Sequence, residues 1–196
     1  MRQLLKVFLT GLALLLPLLP GAAQCAEVAG VKLDDKTHLG NADLVLNGAG
    51  LRSRMFFKVY VAGLYLPEKA SNTDAVLAMP GAKRIYITTL RELTAEQFAE
   101  ALVSNIEKNH SAADYAPLKA RVEEFRSAIL SINVAPKGAL VTLDYLPESG
   151  ARFAVNGQAK GKDIVGEDFY RALLKIWLGN APVQEDLKEA LLGKPQ

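Results

Sequence analysis

Apolar positions along this chain change period three times. From residue 28 to residue 90 they come in short runs with a period near two. From 94 to 130 they fall three and four apart, from 139 to 155 the short period returns, and from 166 to 192 the longer spacing closes the chain. A period of two puts alternate side chains on opposite faces of a strand, and a spacing of three and four builds one face of a helix. Val28–Leu33, Ala42–Asn47, Met55–Leu66 and Lys83–Leu90 therefore read as strands, with Asp34-Asp35-Lys36 as a turn. Asn47-Gly48-Ala49-Gly50 reads as a Gly-rich turn ahead of Arg52. Met55–Leu66 is long and rich in aromatic and β-branched residues, so a bulge or bend is expected, with Gly63 as its natural place.

Asn72-Thr73-Asp74 opens a short helix over Ala75–Met79. Thr94 and Gln97 form a capping box for a helix whose face carries Phe98, Ala101, Leu102, Asn105 and Ile106. Ser111 or Asp114 starts the next, with Leu118, Val122, Phe125 and Ile129 on one stripe. Ala139–Tyr145 and Arg152–Val155 pair as a hairpin around Pro147–Gly150, and Asn156-Gly157 supplies a further tight turn. Gly166–Leu178 is helical and stopped by Gly179, and Gln184–Leu192 forms a last short helix. Strands and helices come in separate blocks, which points to an α+β fold with a mainly antiparallel sheet.

The first segment stands apart from this pattern. Met1–Lys6 carries two bases and no acid, Val7–Pro20 is apolar except for Thr10, and Gly21–Ala26 is built of small residues around Gln24 and Cys25. That order reads as a signal peptide over residues 1–25, cleaved at about 25–26 and followed by a single domain over 26–196. The apolar run is short of the roughly 20 residues of a spanning helix, so no membrane span is expected in the mature protein. Gln24 before Cys25 disfavours lipoprotein processing, which requires a very small residue there. The expected location is the periplasm.

Composition then narrows the function. The chain has 196 residues, 23 bases and 21 acids, and loss of Arg2 and Lys6 with the leader brings bases and acids level. A neutral domain has no general reason to seek nucleic acid or an anionic surface. Cys25 is the sole cysteine, so no internal disulfide is expected. His38 and His110 lie far apart without ligand partners, and no phosphate loop, nucleophile elbow or dinucleotide fingerprint occurs. No metal, cofactor or catalytic residue is assigned, and protein partners are left open.

Three polar residues sit oddly. Asn105 shares a helix face with apolar side chains; it either bonds nearby backbone or borders a cavity. Tyr60 lies mid-strand, on one face with Phe56, Lys58, Ala62 and Leu64 unless a bulge intervenes. Arg52 either ends a strand in an ion pair or presents its planar fork to a carboxylate. Arg52 and Tyr60 are eight residues apart, roughly 27 Å along a straight strand, so they meet only if the backbone bends or reverses between Ser53 and Phe57, or if the long arginine side chain spans a strongly bent segment.

Asn47-Gly48-Ala49-Gly50-Leu51-Arg52 with Lys58–Leu66, Thr94-x-x-Gln97-Phe98 through Asn105, Pro136-Lys137-Gly138, and Leu178–Val183 with Asp186-Leu187-Lys188 together resemble the chalcone isomerase superfamily, in particular its secreted bacterial branch. The resemblance implies an open-faced β-sandwich, a large antiparallel sheet with helices layered on one face and a ligand cleft between. In the plant isomerases an arginine, a strand threonine, a helix tyrosine, an asparagine and a later hydroxyl residue surround the chalcone. Arg52 and Asn105 match two of these positions. Tyr60 stands for the threonine, Phe98 for the tyrosine, and the later position falls near Tyr170. Without a hydroxyl on Phe98, a group that would help stabilise the reacting oxygen is gone. The fatty-acid-binding branch keeps the arginine and places a tyrosine in the strand, which resembles Arg52 with Tyr60. The resemblance implies a non-catalytic binder of a fatty acid or similar amphipathic carboxylate, with Arg52, Tyr60, Asn105, Phe98 and Tyr170 as ligand residues. The alternatives are an isomerase or intramolecular lyase acting on a chalcone-like enone, and a structural or partner-binding protein with a vestigial cleft.

Overall fold

A computed structural model of the chain describes residues 25–194; the leader expected over 1–25 lies outside the described residues except for Cys25. Strands β1 (Cys25–Val28) and β2 (Val31–Asp34) form a hairpin, where one strand had been expected over Val28–Leu33. Ala29 and Gly30 both take positive φ and turn the chain between them. Next come β3 (Lys36–Leu39), β4 (Ala42–Arg54), β5 (Phe57–Leu66), α1 (Thr73–Ala78), β6 (Lys83–Thr89) and β7 (Leu93–Thr94). Then follow α2 (Ala95–Lys108), α3 (Ala112–Tyr115), a 3-10 turn at Ala116–Leu118 and α4 (Lys119–Leu130). Strands β8 (Val134–Ala135), β9 (Leu140–Leu146), β10 (Gly150–Val155) and β11 (Gln158–Ala159) precede α5 (Glu167–Leu178) and α6 (Glu185–Leu191).

The main sheet has seven antiparallel strands in the order β11-β10-β9-β6-β5-β4-β3. Its inner face packs on α2, α4, α5 and α6 through Ala62, Leu64, Ile85, Ile87, Val141 and Leu143 against Leu102, Ile106, Phe125, Phe169, Leu173 and Trp177. This is the expected α+β, open-faced arrangement. The outer face is partly covered by the β1–β2 hairpin: Leu33 joins Leu44, Leu46, Val61 and Tyr65 in a second, smaller core. Gly63 makes this possible, because a Cβ there would lie 2.6 Å from a Leu33 methyl.

Local signals set the helix starts. Asn72, Thr94 and Ser111 each accept a backbone N–H of the first turn on a side-chain oxygen, satisfying donors that have no partner inside the helix. Gly179 ends α5 with φ −71°, not in a left-handed cap. Its small size is what counts, since a Cβ would fall 2.1 Å from Asn109 Oδ1. Among the described residues no helix is long and apolar enough to cross a membrane.

The Asn47–Gly50 stretch is not a turn. It runs inside β4, and the reversal comes later, at Met55-Phe56, with Met55 at φ +56°. Nor does Gly63 carry a bulge; it pairs regularly with Ala49 and Tyr86. The two irregularities fall at Asn47 on β4 and at Val59 on β5. Asn47 is buried, and its amide occupies the bulge: Nδ2 donates to the carbonyls of Ala70 (2.9 Å) and Leu191 (2.7 Å), and Oδ1 accepts from the Ala70 N–H (2.7 Å). Gly48 follows because α6 presses on the strand: a Cβ would lie 2.0 Å from the Ala190 carbonyl oxygen.

Candidate ligand-binding site

The bulge at Asn47 decides which way Arg52 faces. Leu44 and Leu46 pack in the outer core, and so do Ala49 and Leu51. Strict alternation would have put Gly48, Gly50 and Arg52 with Leu44 on the outer face. One extra residue reverses that parity, as any one-residue slip must. Gly48, Gly50 and Arg52 thus stand opposite Leu64, Ala62 and Tyr60, on the helix side. The second bulge, at Val59, does the same from the other strand. Ala62 and Leu64 share the face of Tyr60, while Lys58 pairs with Ser53 beyond the slip and does not.

Arg52 and Tyr60 are consequently direct cross-strand partners, despite eight intervening steps of chain. They line a cavity of about 380 Å3 between the end of the β4–β5 hairpin and the helices, well sized for a small molecule. Its inner end is walled by the buried Tyr60, Leu102, Ile176 and Trp177. Its outer end carries the exposed Arg54, Met55, Phe57, Arg91 and Gln97. Val59, Leu93, Phe98, Ala101, Asn105 and Val183 fill the sides. On α2 the fully buried stripe is Ala95, Ala99, Leu102 and Ile106, so Phe98, Ala101 and Asn105 form the neighbouring stripe that faces the cavity.

Each polar group has a defined state. Trp177 Nε1–H donates to the Tyr60 hydroxyl oxygen at 3.0 Å, which leaves the Tyr60 proton free for an acceptor in the cavity. Burial raises the Tyr60 pKa, with the Trp177 hydrogen bond and the Arg52 charge pulling it back, so the phenol stays protonated at neutral pH. The Arg52 guanidinium donates to the Ser53 carbonyl and to Gln184 Oε1, the latter at 3.2 Å. Gln184 also accepts the Ser53 N–H (2.9 Å) and donates to the Leu51 carbonyl (3.1 Å), clamping the strand end from the start of α6. Asn105 Nδ2 donates to the Ala101 carbonyl at 2.6 Å, so this side chain both bonds its own helix and borders the cavity.

The charge pattern is one-sided. Eight arginines lie among the described residues. Arg84, Arg121, Arg126, Arg152 and Arg171 each pair with a carboxylate. Arg52, Arg54 and Arg91 form no ion pair among the described residues, and these three line the cavity, whose walls hold no aspartate, glutamate or histidine. Cations and a phenol proton facing apolar walls can bind an anion with an apolar body. Among the described residues no cluster of three or more His, Cys, Asp or Glu side chains is placed to hold a metal ion.

Of the five residues singled out from sequence, the fold brings Arg52, Tyr60, Phe98 and Asn105 to this cavity. Tyr170 is not among them. It is 1% exposed, stacked on Tyr145, and its hydroxyl donates to the Leu143 carbonyl at 2.9 Å. It shares a face of α5 with Trp177 but lies two turns earlier, about 10 Å along the axis, where that face meets β9 and not the cavity. Sequence reasoning missed Trp177, Arg54, Arg91 and Gln184 as site residues. Arg54 alone carried a signal, two positions from Arg52 and so on the same strand face.

A family model described as chalcone isomerase-like matches residues 25–193. The solved structure of a fatty-acid binding protein from Arabidopsis thaliana matches with a TM-score of 0.65 at 16% identity, over 83% of this chain and 92% of that one. The likeness at that identity is one of fold. No curated protein matches the sequence.

Proposed function

We propose that this chain, which belongs to the chalcone isomerase-like family, binds a small amphipathic carboxylate of the fatty-acid type and does no chemistry on it. The observation that carries this reading is the set of three arginines without carboxylate partners around one apolar cavity. Arginines left unpaired while every other described arginine is matched are placed for a counter-ion that the chain does not itself supply. In this reading Arg52 and the Tyr60 proton hold the carboxylate, and Val59, Leu93, Phe98 and Leu102 hold the tail. The fold relative from Arabidopsis is a fatty-acid binding protein, which supports the same ligand class here. Phe98 in place of a hydroxyl residue weighs against enone cyclisation. The open volume beside Phe98, Leu102 and Trp177 weighs against a filled, vestigial cleft. We propose the periplasm as the site of this binding and residues 26–196 as the working domain, a reading supported by the basic, apolar and small-residue order of residues 1–25.

The test is titration of delipidated protein with saturated fatty acids of increasing length and with the matching alcohols, followed by calorimetry. Acids are expected to bind and alcohols to bind far more weakly. Arg52→Ala is expected to lose about 1.5–3 kcal/mol, the worth of a charge-assisted hydrogen bond. No heat with any chain length, or equal affinity for acid and alcohol, overturns the reading.

A further inference from the structure

The turn between β4 and β5 projects apolar side chains that nothing in the fold covers. Met55, Phe56 and Phe57 are 83%, 96% and 63% exposed, and they are three of the five large apolar side chains exposed among the described residues. They are consecutive. Leaving two phenylalanines and a methionine in water at one tip forgoes a gain of roughly tenfold or more in burial equilibrium for each ring. A contiguous apolar tip rimmed by polar groups marks an interaction site.

The rim states the partner's charge. From Leu44 to Pro67 the chain has no acid, and its bases Arg52, Arg54 and Lys58 all flank this turn. Arg91 joins them from the β6–β7 connection, its guanidinium 5.9 Å from the centre of the Phe57 ring. Net neutrality of the domain hides this concentration: the β4–β5 hairpin carries no acid across Leu44–Pro67, and Glu92 beside Arg91 is the one acid of the β6–β7 connection. We infer that the β4–β5 turn is a membrane-docking tip: Met55, Phe56 and Phe57 enter the outer layer of an anionic phospholipid bilayer while Arg54, Lys58 and Arg91 engage its headgroups.

Two further features fit this occupant better than a protein groove. Only Met55 and Phe56 lie beyond the last paired residues, Arg54 and Phe57, so few backbone polar groups enter the interface unpaired. Shallow insertion of about 5–10 Å is what apolar side chains with a basic collar support. The cavity also opens here, since Arg54, Met55, Phe57 and Arg91 form its outer end. Docking would set that opening against the lipid surface. The inference does not depend on what the cavity holds, and the test uses no ligand.

The experiment is flotation of the purified protein with vesicles of phosphatidylcholine alone and of equimolar phosphatidylcholine and phosphatidylglycerol. Phe56 and Lys58 do not line the cavity, so Phe56→Ser and Lys58→Ser leave it intact. The protein is expected to float with the anionic vesicles and not with the neutral ones, with less floating as salt rises. Phe56→Ser is expected to weaken association about tenfold, and Lys58→Ser roughly fivefold. In a Phe56→Trp variant the added emission is expected to shift blue on anionic vesicles. Overturning results are equal flotation with both vesicle types, no flotation with either, variants that float like the parent, or an unshifted tryptophan. Capture of a protein partner by the tip, with vesicles ignored, also overturns it. Fatty-acid titration of Phe56→Ser, which should match the parent, reports on the cavity separately.

Discussion

Tyr60→Phe tests the site most sharply, because one oxygen is removed and two effects follow that can be measured apart. The ring stays and fills the same space, so no cavity term enters. On the protein side, the Trp177 indole N–H loses its 3.0 Å acceptor while remaining 2% exposed. A buried donor left without a partner costs about 1–3 kcal/mol. For a domain of this size each kcal/mol lowers Tm by about 2–4 °C, so a fall of about 2–12 °C is expected in a circular dichroism melt. On the ligand side, a hydrogen bond to a charged group worth about 1.5–3 kcal/mol disappears, which is about ten- to 150-fold in Kd for the acid. The alcohol should lose much less, so the selectivity between them should shrink. Trp177→Phe and the double variant complete a cycle. Taking away both partners should recover part of the lost stability, because no donor is then orphaned, and should recover none of the affinity. A Tyr60→Phe protein that melts with the parent shows that Trp177 does not depend on this hydroxyl. One that binds acid within threefold of the parent shows that the Tyr60 proton does not meet the ligand.

Asn47→Ala strips the bulge of all three amide hydrogen bonds and leaves groups of Ala70 and Leu191 unpaired; a loss of about 3 kcal/mol or more is expected by chemical denaturation, and a change under 0.5 kcal/mol would refute its structural role. Lys83 and Glu167 should respond unequally. Lys83 is 1% exposed with Glu167 3.6 Å away, whereas Glu167 keeps a second partner in Arg171. Glu167→Gln removes the one carboxylate paired with the buried Lys83 ammonium, leaving it the Gly81 carbonyl (3.3 Å) and the Tyr145 ring face, and should cost about 3 kcal/mol, whereas Lys83→Met should lie within about 1 kcal/mol of the parent; equal losses in denaturant melts would refute the asymmetry. Burial raises the pKa of Tyr60 and of Tyr170. The folded state therefore holds these protons more tightly than the unfolded chain, whose tyrosines titrate near pH 10. Their contribution is whole below that pH and is lost above it. Lys83, lowered by burial, acts in the opposite sense. Absorbance of ionised tyrosine at 295 nm should rise together with loss of helical circular dichroism, and ionisation of all six tyrosines with the fold intact would refute the assignment.

How much of this was legible beforehand follows from the range of each interaction. Helix starts were readable because a cap is a contact over three residues: Thr94 accepts the Gln97 N–H that its spacing suggested, and of the candidates for the other two starts Asn72 and Ser111 are the ones that accept a first-turn N–H. The order of strands and helices followed from period alone. The short strands β3, β7, β8 and β11 were missed, since two to four residues hold too little pattern to declare a period. The Gly-rich stretch was misplaced for a different reason. Glycine suggests a turn when its backbone freedom is used, but Gly48 is needed for the approach of α6, which begins 137 residues later. The same distance hides the site. Arg52 reads as an outward residue if alternation is carried through from Leu44, and faces inward only because Asn47 is an extra residue in β4. A bulge of that kind has no composition of its own; Asn47 holds it through Ala70 and Leu191, both remote in sequence. The lack of acids on the cavity wall is likewise invisible in a chain whose bases and acids balance. Charge pairing belongs to the folded arrangement, and the three arginines become distinctive only once the other five are seen to have partners. The two bulges therefore carry more of the functional argument than any motif does. They turn an arginine and a tyrosine, eight residues apart, onto one wall, and place Phe57 and Arg54 beside them at the rim.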